Sequence, residues 1–489
     1  MKNLPAGLLC VFLAVSSQSS AVCCDEAAKI ESDEEATFET EVVDESTRLN
    51  DVRKLRTQRL TVYSSVILDW IDDACDLSIK QRRQIKQLSK DIVAEAMKNW
   101  ESWPSTTAQG GPNADTHVVG FVSATGAAAE ADLVHVPALK ERLCRLLAEE
   151  QQSKLNDATA RRARFFKACF ASDALNLLDM ELCLTSQQRR DLREDVLSVV
   201  GELAGASGPV SPQSTLHGPD IVIPFLHAVS KSRQLTPQQQ ERSAFLSTAR
   251  DDYTKFRATE IRMSFRGGQD RESWDEQLNK QLQSQRERLS SARTRLAECY
   301  AAECEISERD YRRLTVAGKG IIESLLRAWK KKAVSQFEEN EHRDFLYYVY
   351  HDHPSAIERS SLWRNTLKSL SDSAQAGVQR RGDGRRDADV DTILALLEQE
   401  LWLTDSQRRT LRDQLKALIP SGGLQSQKRS VFRSAQLLLI PLFRLDSASL
   451  SELNESQKHV LEMMKESFQR NDGGYVYMCG HRIHLAMPN

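Results

Sequence analysis

At 489 residues and 55.2 kDa the chain exceeds one ordinary domain and is long enough to bury a sizeable core. Charged residues make up 28% and aromatics 6%, with only 21 Gly and 13 Pro, a balance that favours long solvated helices over a β-sandwich. The net charge of −3, with both signs interspersed, supplies no single-sign field and argues against nucleic acid or an acidic membrane surface as the partner.

The N-terminus carries Lys2, an apolar run Leu8-Leu9-Cys10-Val11-Phe12-Leu13-Ala14-Val15, and the small-residue stretch Ser19-Ser20-Ala21. That is the pattern of a secretory signal peptide over residues 1–21. The run is short for a bilayer, and no later stretch of about 18 apolar residues follows, so a non-spanning exported protein is expected. Ten Cys become nine without Cys10, an odd and scattered set that does not read as a disulfide framework. Cys75, Cys169 and Cys183 sit in apolar helical settings and read as buried thiols, whereas Cys23-Cys24 and Cys299/Cys304 are close enough in sequence for oxidation. Residues 22–47 form an acidic leader (Glu31, Asp33, Glu34, Glu35, Glu39, Glu41, Asp44, Glu45) too poor in large apolar groups to fold alone.

Beyond the leader the helical periodicity of Leu55, Leu60, Val66, Ile67, Trp70 and Ile71 ends near Cys75, and a short element then recurs. It reads hydrophobic residue, Ser or Thr, two variable positions, Gln: the form of a capping box, in which the hydroxyl accepts from the N–H three residues on and the Gln reaches back to the cap's own N–H. Its copies are Leu77-Ser78 with Gln81, Leu184-Thr185 with Gln188, Leu235-Thr236 with Gln239, a degenerate Ile306-Ser307 followed by Asp310, Leu403-Thr404 with Gln407, and Leu453-Asn454 with Gln457. The first starts a helix to Trp100, followed by a flexible segment over 102–135. From Pro137 one helical stretch runs to the second box. Gly205 to Pro219 forms the next break, and in the third box Pro237 occupies the first helical position. The fourth box's helix crosses Gly318-Lys319-Gly320, where a kink is expected, and Ser371 to Asp389 reads as a second linker.

Boxes one to three are spaced 107 and 51 residues apart, and boxes four to six 97 and 50. Trp100 and Trp329 each follow their box's first residue by 23, and Cys75 and Cys304 each precede it by two. Ala138-Leu139-Lys140-Glu141-Arg142 stands before box two much as Ala356-Ile357-Glu358-Arg359 stands before box five. The expected fold is therefore all-α: two tandem duplicated halves of helix-turn-helix units, 48–262 and 276–470, with a linker at 263–275, flexible connections, and a C-terminal tail over 471–489.

The boxes contain no nucleophile, base or metal ligand, so their first reading is structural. The paired Arg189-Arg190 and Arg408-Arg409, like Arg82, oppose the helix macrodipole, which prefers acidic side chains in the first turn. Asp179, Glu181, Glu398 and Glu400 of the preceding helices are the expected counter-charges, and a partner-binding arginine face is the functional alternative. The one metal-like spacing is Cys479, His481 and His484, a weak match without a second ligand cluster, and His351-Asp352-His353 reads as a surface helix end. Trp100 and Trp329 read as core anchors. No G-x-S-x-G, H-E-x-x-H or P-loop is present, and no cofactor is expected.

The boxes behind a signal peptide resemble the LTxxQ family of periplasmic proteins, helical stress chaperones and metal-responsive regulators. They also look like large exported helical proteins of planctomycete-type bacteria, in which such boxes recur, sometimes with Ala-Gly-x-Gly as in Ala317-Gly318-Lys319-Gly320. The expected function is that of a non-enzymatic interaction or scaffold protein of the bacterial envelope with a protein partner. A periplasmic chaperone or stress or metal sensor is the alternative, and an enzyme with its active site between the halves is a third.

Overall fold

The computed structural model describes residues 45–101, 139–207, 219–248, 263–265, 271–339, 345–347, 353–422, 444–445, 449–467, 469–471, 475–478 and 481–484. The signal segment, most of the acidic leader, the 102–135 segment and Cys479 lie outside these residues.

The protein is all-α. In chain order the helices are α1 Glu45–Cys75, α2 Ile79–Glu101, α3 Leu139–Cys144, α4 Glu149–Leu182, α5 Ser186–Asp191, α6 Arg193–Ser207, α7 Pro219–Val229, α8 Pro237–Thr248, α9 Arg271–Cys304, α10 Glu308–Glu339, α11 His353–Glu358, α12 Ser361–Lys368, α13 Asp372–Leu401, α14 Asp405–Leu418 and α15 Glu455–Ser467, with a 3₁₀ turn at Ser449–Glu452. Two small antiparallel sheets are appended. One pairs β1 Met263–Phe265 with β2 Phe345–Tyr347, joining the approach to α9 with the exit from α10. The other is a meander of β3 Gln469–Asn471, β4 Tyr475–Met478 and β5 His481–His484. No described helix is long and apolar enough to cross a membrane.

Four sequence expectations are corrected. The stretch 371–389 is the N-terminal half of helix α13 and buries Arg381. Its arginines and glycines look like linker composition, but their charges are neutralised by tertiary partners and Gly377 is a contact point: a Cβ there would lie 2.7 Å from the Glu303 carbonyl and 2.8 Å from Cys304 Cα. Helix α10 runs unbroken through Gly318 and Gly320. Gly318 serves packing rather than bending, since its Cβ would meet the Arg293 side chain at 2.5 Å and Trp363 at 3.4 Å. The single helix expected from Pro137 is two, α3 and α4, separated at 145–148. His353, expected at a helix end, begins α11.

Helices α4 and α13 cross at the centre, and among the described residues each hydrophobic cluster draws on one or the other. One cluster joins Leu60 and Tyr63 of α1 and Ile92 of α2 to Ile393 and Leu397 of α13, Leu411 of α14 and Val460 of α15. The second packs α9 and α10 through Trp274, Leu296, Ile321 and Trp329, with Trp363 of α12. The third is α4, α6, α7 and α8 around Leu178, Val196, Phe225 and Leu246. A fourth links Trp70 and Ile85 to Leu147 and Ala158. The N-terminal hairpin α1–α2 thus packs on the C-terminal end of the chain, so the two expected halves interleave.

Four tight connections set these crossings. Asp76, Cys183, Glu305 and Trp402 adopt left-handed backbone (φ 52°, 55°, 50° and 48°), each immediately before the hydrophobic residue of a box. In three of them the N–H closes on the carbonyl four residues back: Asp76 on Asp72, Cys183 on Asp179, Trp402 on Glu398. A non-glycine residue in this region costs about 1–2 kcal/mol. Burying the next side chain returns about 1.5–3 kcal/mol, and Leu77, Leu184 and Leu403 are all buried. The chain therefore reverses in three residues: a left-handed cap, a buried aliphatic group, then an N-cap.

Candidate functional site

The caps form as expected. Thr185 Oγ1 accepts from the Gln188 N–H at 3.1 Å while the Thr185 N–H donates to Gln188 Oε1 at 3.0 Å, and Thr404 with Gln407 repeats this at 3.3 and 2.9 Å. Ser78 with Gln81, Thr236 with Gln239, and Asn454 with Gln457 are likewise reciprocal. In the degenerate box Ser307 Oγ accepts from the Asp310 N–H and donates to its carboxylate.

The boxes also meet each other. Gln188 Nε2 donates to Gln239 Oε1 at 2.8 Å and Gln239 Nε2 to Gln188 Oε1 at 3.2 Å; Gln407 and Gln457 do the same at 2.9 and 3.1 Å. The second amide hydrogen of each goes to a backbone carbonyl where the partner's preceding helix or turn ends: Gln188 to Gln234, Gln239 to Leu182, Gln407 to Glu452, Gln457 to Leu401. Both amide hydrogens and both oxygen lone pairs are thereby used. This explains why the position is Gln and not Glu: a carboxylate caps the helix equally well but cannot donate to its partner or to the carbonyl.

The partner of Gln81 is Gln151, at 2.7 and 3.3 Å. Gln151 belongs to Leu147-Ala148-Glu149-Glu150-Gln151, a box that sequence reading missed because Ala148 lacks the capping oxygen; its N–H still donates to Gln151 Oε1 at 3.0 Å. A further missed box, Leu370-Ser371 to Ala374, keeps the cap (Ser371 Oγ from the Ala374 N–H, 3.4 Å) and lacks the glutamine. Spacing was the available signal: Leu147 precedes Leu184 by 37 residues, and Leu370 precedes Leu403 by 33.

Of the arginines after the boxes, Arg189 and Arg408 meet two of the acids expected, Asp179 and Glu398, while Arg82 meets Asp72. Arg82 bonds Asp72 at 2.9 Å, Arg189 approaches Asp179 at 3.6 Å, and Arg408 approaches Glu398 at 3.0 Å. In each, an arginine five residues after the box's first position meets an acid five before it. Arg190 bonds the Gln187 side chain, and Arg409 is exposed.

Around Asp179 and Glu398 lie two buried ion-pair networks where α4 crosses α13. Arg381 of α13 reaches Asp179 of α4 at 2.9 Å, and Arg162 of α4 reaches Glu398 of α13 at 2.9 Å. Arg162 and Arg381 are 219 positions apart, as are Asp179 and Glu398, so each position meets the other's counterpart. In the first network Arg385 bonds both Asp179 and Glu358, Tyr300 donates to Glu358 at 3.2 Å, and Arg381 also donates to the Leu184 carbonyl and lies 3.0 Å from Cys299 Sγ. In the second, the Arg162 guanidinium stacks 3.6 Å over Trp402, itself edge-on to Trp70 at 5.0 Å, and Tyr63 donates to Glu400 at 2.7 Å.

Electrostatics separates the two. Burial raises the Asp179 carboxyl, but the guanidiniums of Arg381, Arg385 and Arg189 outweigh it and hold the group well below the usual range. For Glu398, burial wins over Arg162 and Arg408, and the pKa is raised. Burial likewise pushes the Tyr300 and Tyr63 hydroxyls up, the Cys183 thiol up to about 12 and the Cys304 thiol up to about 11. These thiols stay protonated at neutral pH and are weak nucleophiles.

Cys75, Cys169 and Cys183 are buried free thiols, as expected. Cys299 and Cys304 are also free rather than paired. Five residues apart on α9, they face different neighbours: the Leu184 carbonyl at 3.4 Å for Cys299, the α13 crossing at Gly377 for Cys304. Trp329 is buried in the α9–α10 core; the Trp100 side chain lies outside the described residues. Of the metal candidates, His481 and His484 stand at the two ends of β5, and the described residues contain no cluster of three metal-ligating side chains.

No family model matches the chain, and no curated protein and no solved structure matches it.

Proposed function

We propose that the protein is an exported, non-catalytic interaction or scaffold protein of the bacterial envelope, built from two duplicated helical halves clasped about a pseudo-two-fold axis. The observation that carries this reading is the use made of the buried polar groups. The ion-pair networks join α4 to α13 at their crossing, and the glutamine pairs join α5 to α8 and α14 to α15; directional buried contacts of this kind specify one arrangement. A frame of this kind holds surfaces at fixed separation. Duplication is supported by the constant offsets: 219 residues for the crossed ion pairs and for Cys183/Trp402, and 229 for Asp76/Glu305 and for Leu77/Ile306. Reciprocal contact of two positions with each other's counterparts is the pattern of a two-fold interface, here within one chain.

The test is crosslinking of the full-length protein in its native envelope with mass spectrometry of the captured species and of its own N-terminus. One dominant stoichiometric partner and a mature N-terminus following residue 21 are expected. Many unrelated, unfolding-prone clients would replace the scaffold reading with the chaperone, and an unprocessed N-terminus would remove export.

A further inference from the structure

Superposing the register of α2 on that of α10, box on box, places Ile92 with Ile321, Val93 with Ile322 and Met97 with Leu326, all buried. The same register sets Asp91 against Gly320 and Glu95 against Ser324. In the first half these two acids hold an arginine: Arg142 of α3 lies 3.7 Å from Asp91 and 3.5 Å from Glu95. The second half also brings an arginine to this place: Arg359, which follows α11, lines the same pocket as Ser324. It lies against the corresponding face of α10, where glycine and serine have replaced both carboxylates.

In place of the ion pair there is an open groove of about 400 Å³ between α10, α11 and α12, lined by Ile321, Ser324, Leu325, Ala356, Arg359 and Ser361. The exposed carboxylate nearest in sequence on α10, Glu323, is engaged by Arg286 at 3.0 Å. From Ser324 the exposed ridge of α10 continues through Arg327, Ala328, Lys331 and Lys332, so the groove leads along a basic flank roughly 12 Å long at 1.5 Å per residue. At its other edge Leu362, 47% exposed, stands beside Gly320. The N-terminus of α12 opens on the same space, and its backbone N–H groups favour negative charge.

We propose that this groove docks an acidic peptide segment of a protein partner, one of whose Asp or Glu side chains takes the place on Arg359 that Asp91 and Glu95 take on Arg142. The assignment rests on the interaction reading above and names the chemistry of its partner. An anion is required by the arginine and the basic flank, in a chain whose overall charge is −3. A peptide rather than a small ion is indicated by the length of the flank and by the apolar floor and wall of Ile321, Leu325 and Leu362, which suit an aliphatic side chain next to the carboxylate.

The experiment uses the full-length protein and a fluorescein-labelled decapeptide of Asp and Glu with one central Leu, read by fluorescence anisotropy at low salt. Its Asn/Gln counterpart is the control. Ser324→Glu copies the first half and lets the protein satisfy Arg359 internally; Arg359→Gln removes the charge. Both positions lie outside the buried core, and unchanged helical circular dichroism verifies folding. The acidic peptide is expected to bind, with at least tenfold weaker affinity for either variant and for the amide control. No binding, equal binding of the amide peptide, full affinity in Ser324→Glu, or complete displacement by free glutamate would each overturn the proposal. A negative result here with a stoichiometric partner captured in the envelope removes the groove and leaves the scaffold reading; capture of no partner removes the scaffold reading whatever the peptide does.

Discussion

Replacing Gln457 by Leu tests the pairing of the boxes directly. The side chain is 2% exposed and makes four hydrogen bonds: from the Asn454 N–H, to and from Gln407, and to the Leu401 carbonyl. Leucine keeps approximate volume and removes all four, stranding the Gln407 amide and the Leu401 carbonyl in a dry site. Each stranded group costs about 1–3 kcal/mol, and the added aliphatic burial offsets part of that, so a loss of about 2–4 kcal/mol is expected. Gln407→Leu should cost a similar amount. In the double variant the amide-to-amide bonds are lost once rather than twice, and the summed single effects should exceed the double by about 1–3 kcal/mol. Urea unfolding followed by circular dichroism supplies the four midpoints, with unchanged slopes required for the comparison. Singles below about 0.5 kcal/mol, or additivity within about 0.3 kcal/mol, would refute the claim that these glutamines act as a coupled pair.

Asp179→Asn should destabilise at neutral pH by about 3–5 kcal/mol, because three buried guanidiniums lose a shared counter-charge and only Glu358 remains beside Arg381 and Arg385. The native pKa of Asp179 is depressed, so its contribution is present above the unfolded value of about 3.9 and is lost as pH falls through the native one; the gap between variant and wild type should therefore narrow in acid. For Glu398 the native pKa is raised, so stability is lost as pH rises through it, and Glu398→Gln should cost less at neutral pH than Asp179→Asn. Equal penalties with parallel pH profiles would contradict the assigned shifts. Gly377→Ala should cost about 1–3 kcal/mol in thermal unfolding, since its methyl would press on the α9 backbone. Gly320→Ala, with the nearest atom 3.6 Å away, should be neutral or stabilising by up to about 1 kcal/mol from helix propensity; the reverse order would refute the packing argument. Native iodoacetamide labelling mapped by mass spectrometry should modify half-exposed Cys144 ahead of buried Cys183, Cys299 and Cys304, and rapid labelling of Cys299 would show that the first network opens.

What the sequence by itself determined is local. Helical class, the starts of α2, α8 and α14, the capping role of Ser78, Thr236 and Thr404, and the acids that hold Arg189 and Arg408 all follow from side chains reaching groups at most ten residues away. Such contacts leave a periodic trace in the chain. The tertiary structure decided whatever depends on charge neutralisation and close approach at long separation. Ser371 to Asp389 reads as a linker because four arginines and three glycines break its apolar pattern, and it is the first half of the central helix because Asp179 and Glu358, on other helices, neutralise Arg381 and Arg385, while Glu303 neutralises Arg380. The box at Leu147 was hidden because alanine supplies no capping oxygen, and its glutamine acquires meaning only when Gln81 arrives from 70 residues upstream. The groove at Arg359 is likewise invisible in one dimension: its lining comes from α10, from α11 and from the start of α12, which only the fold brings together.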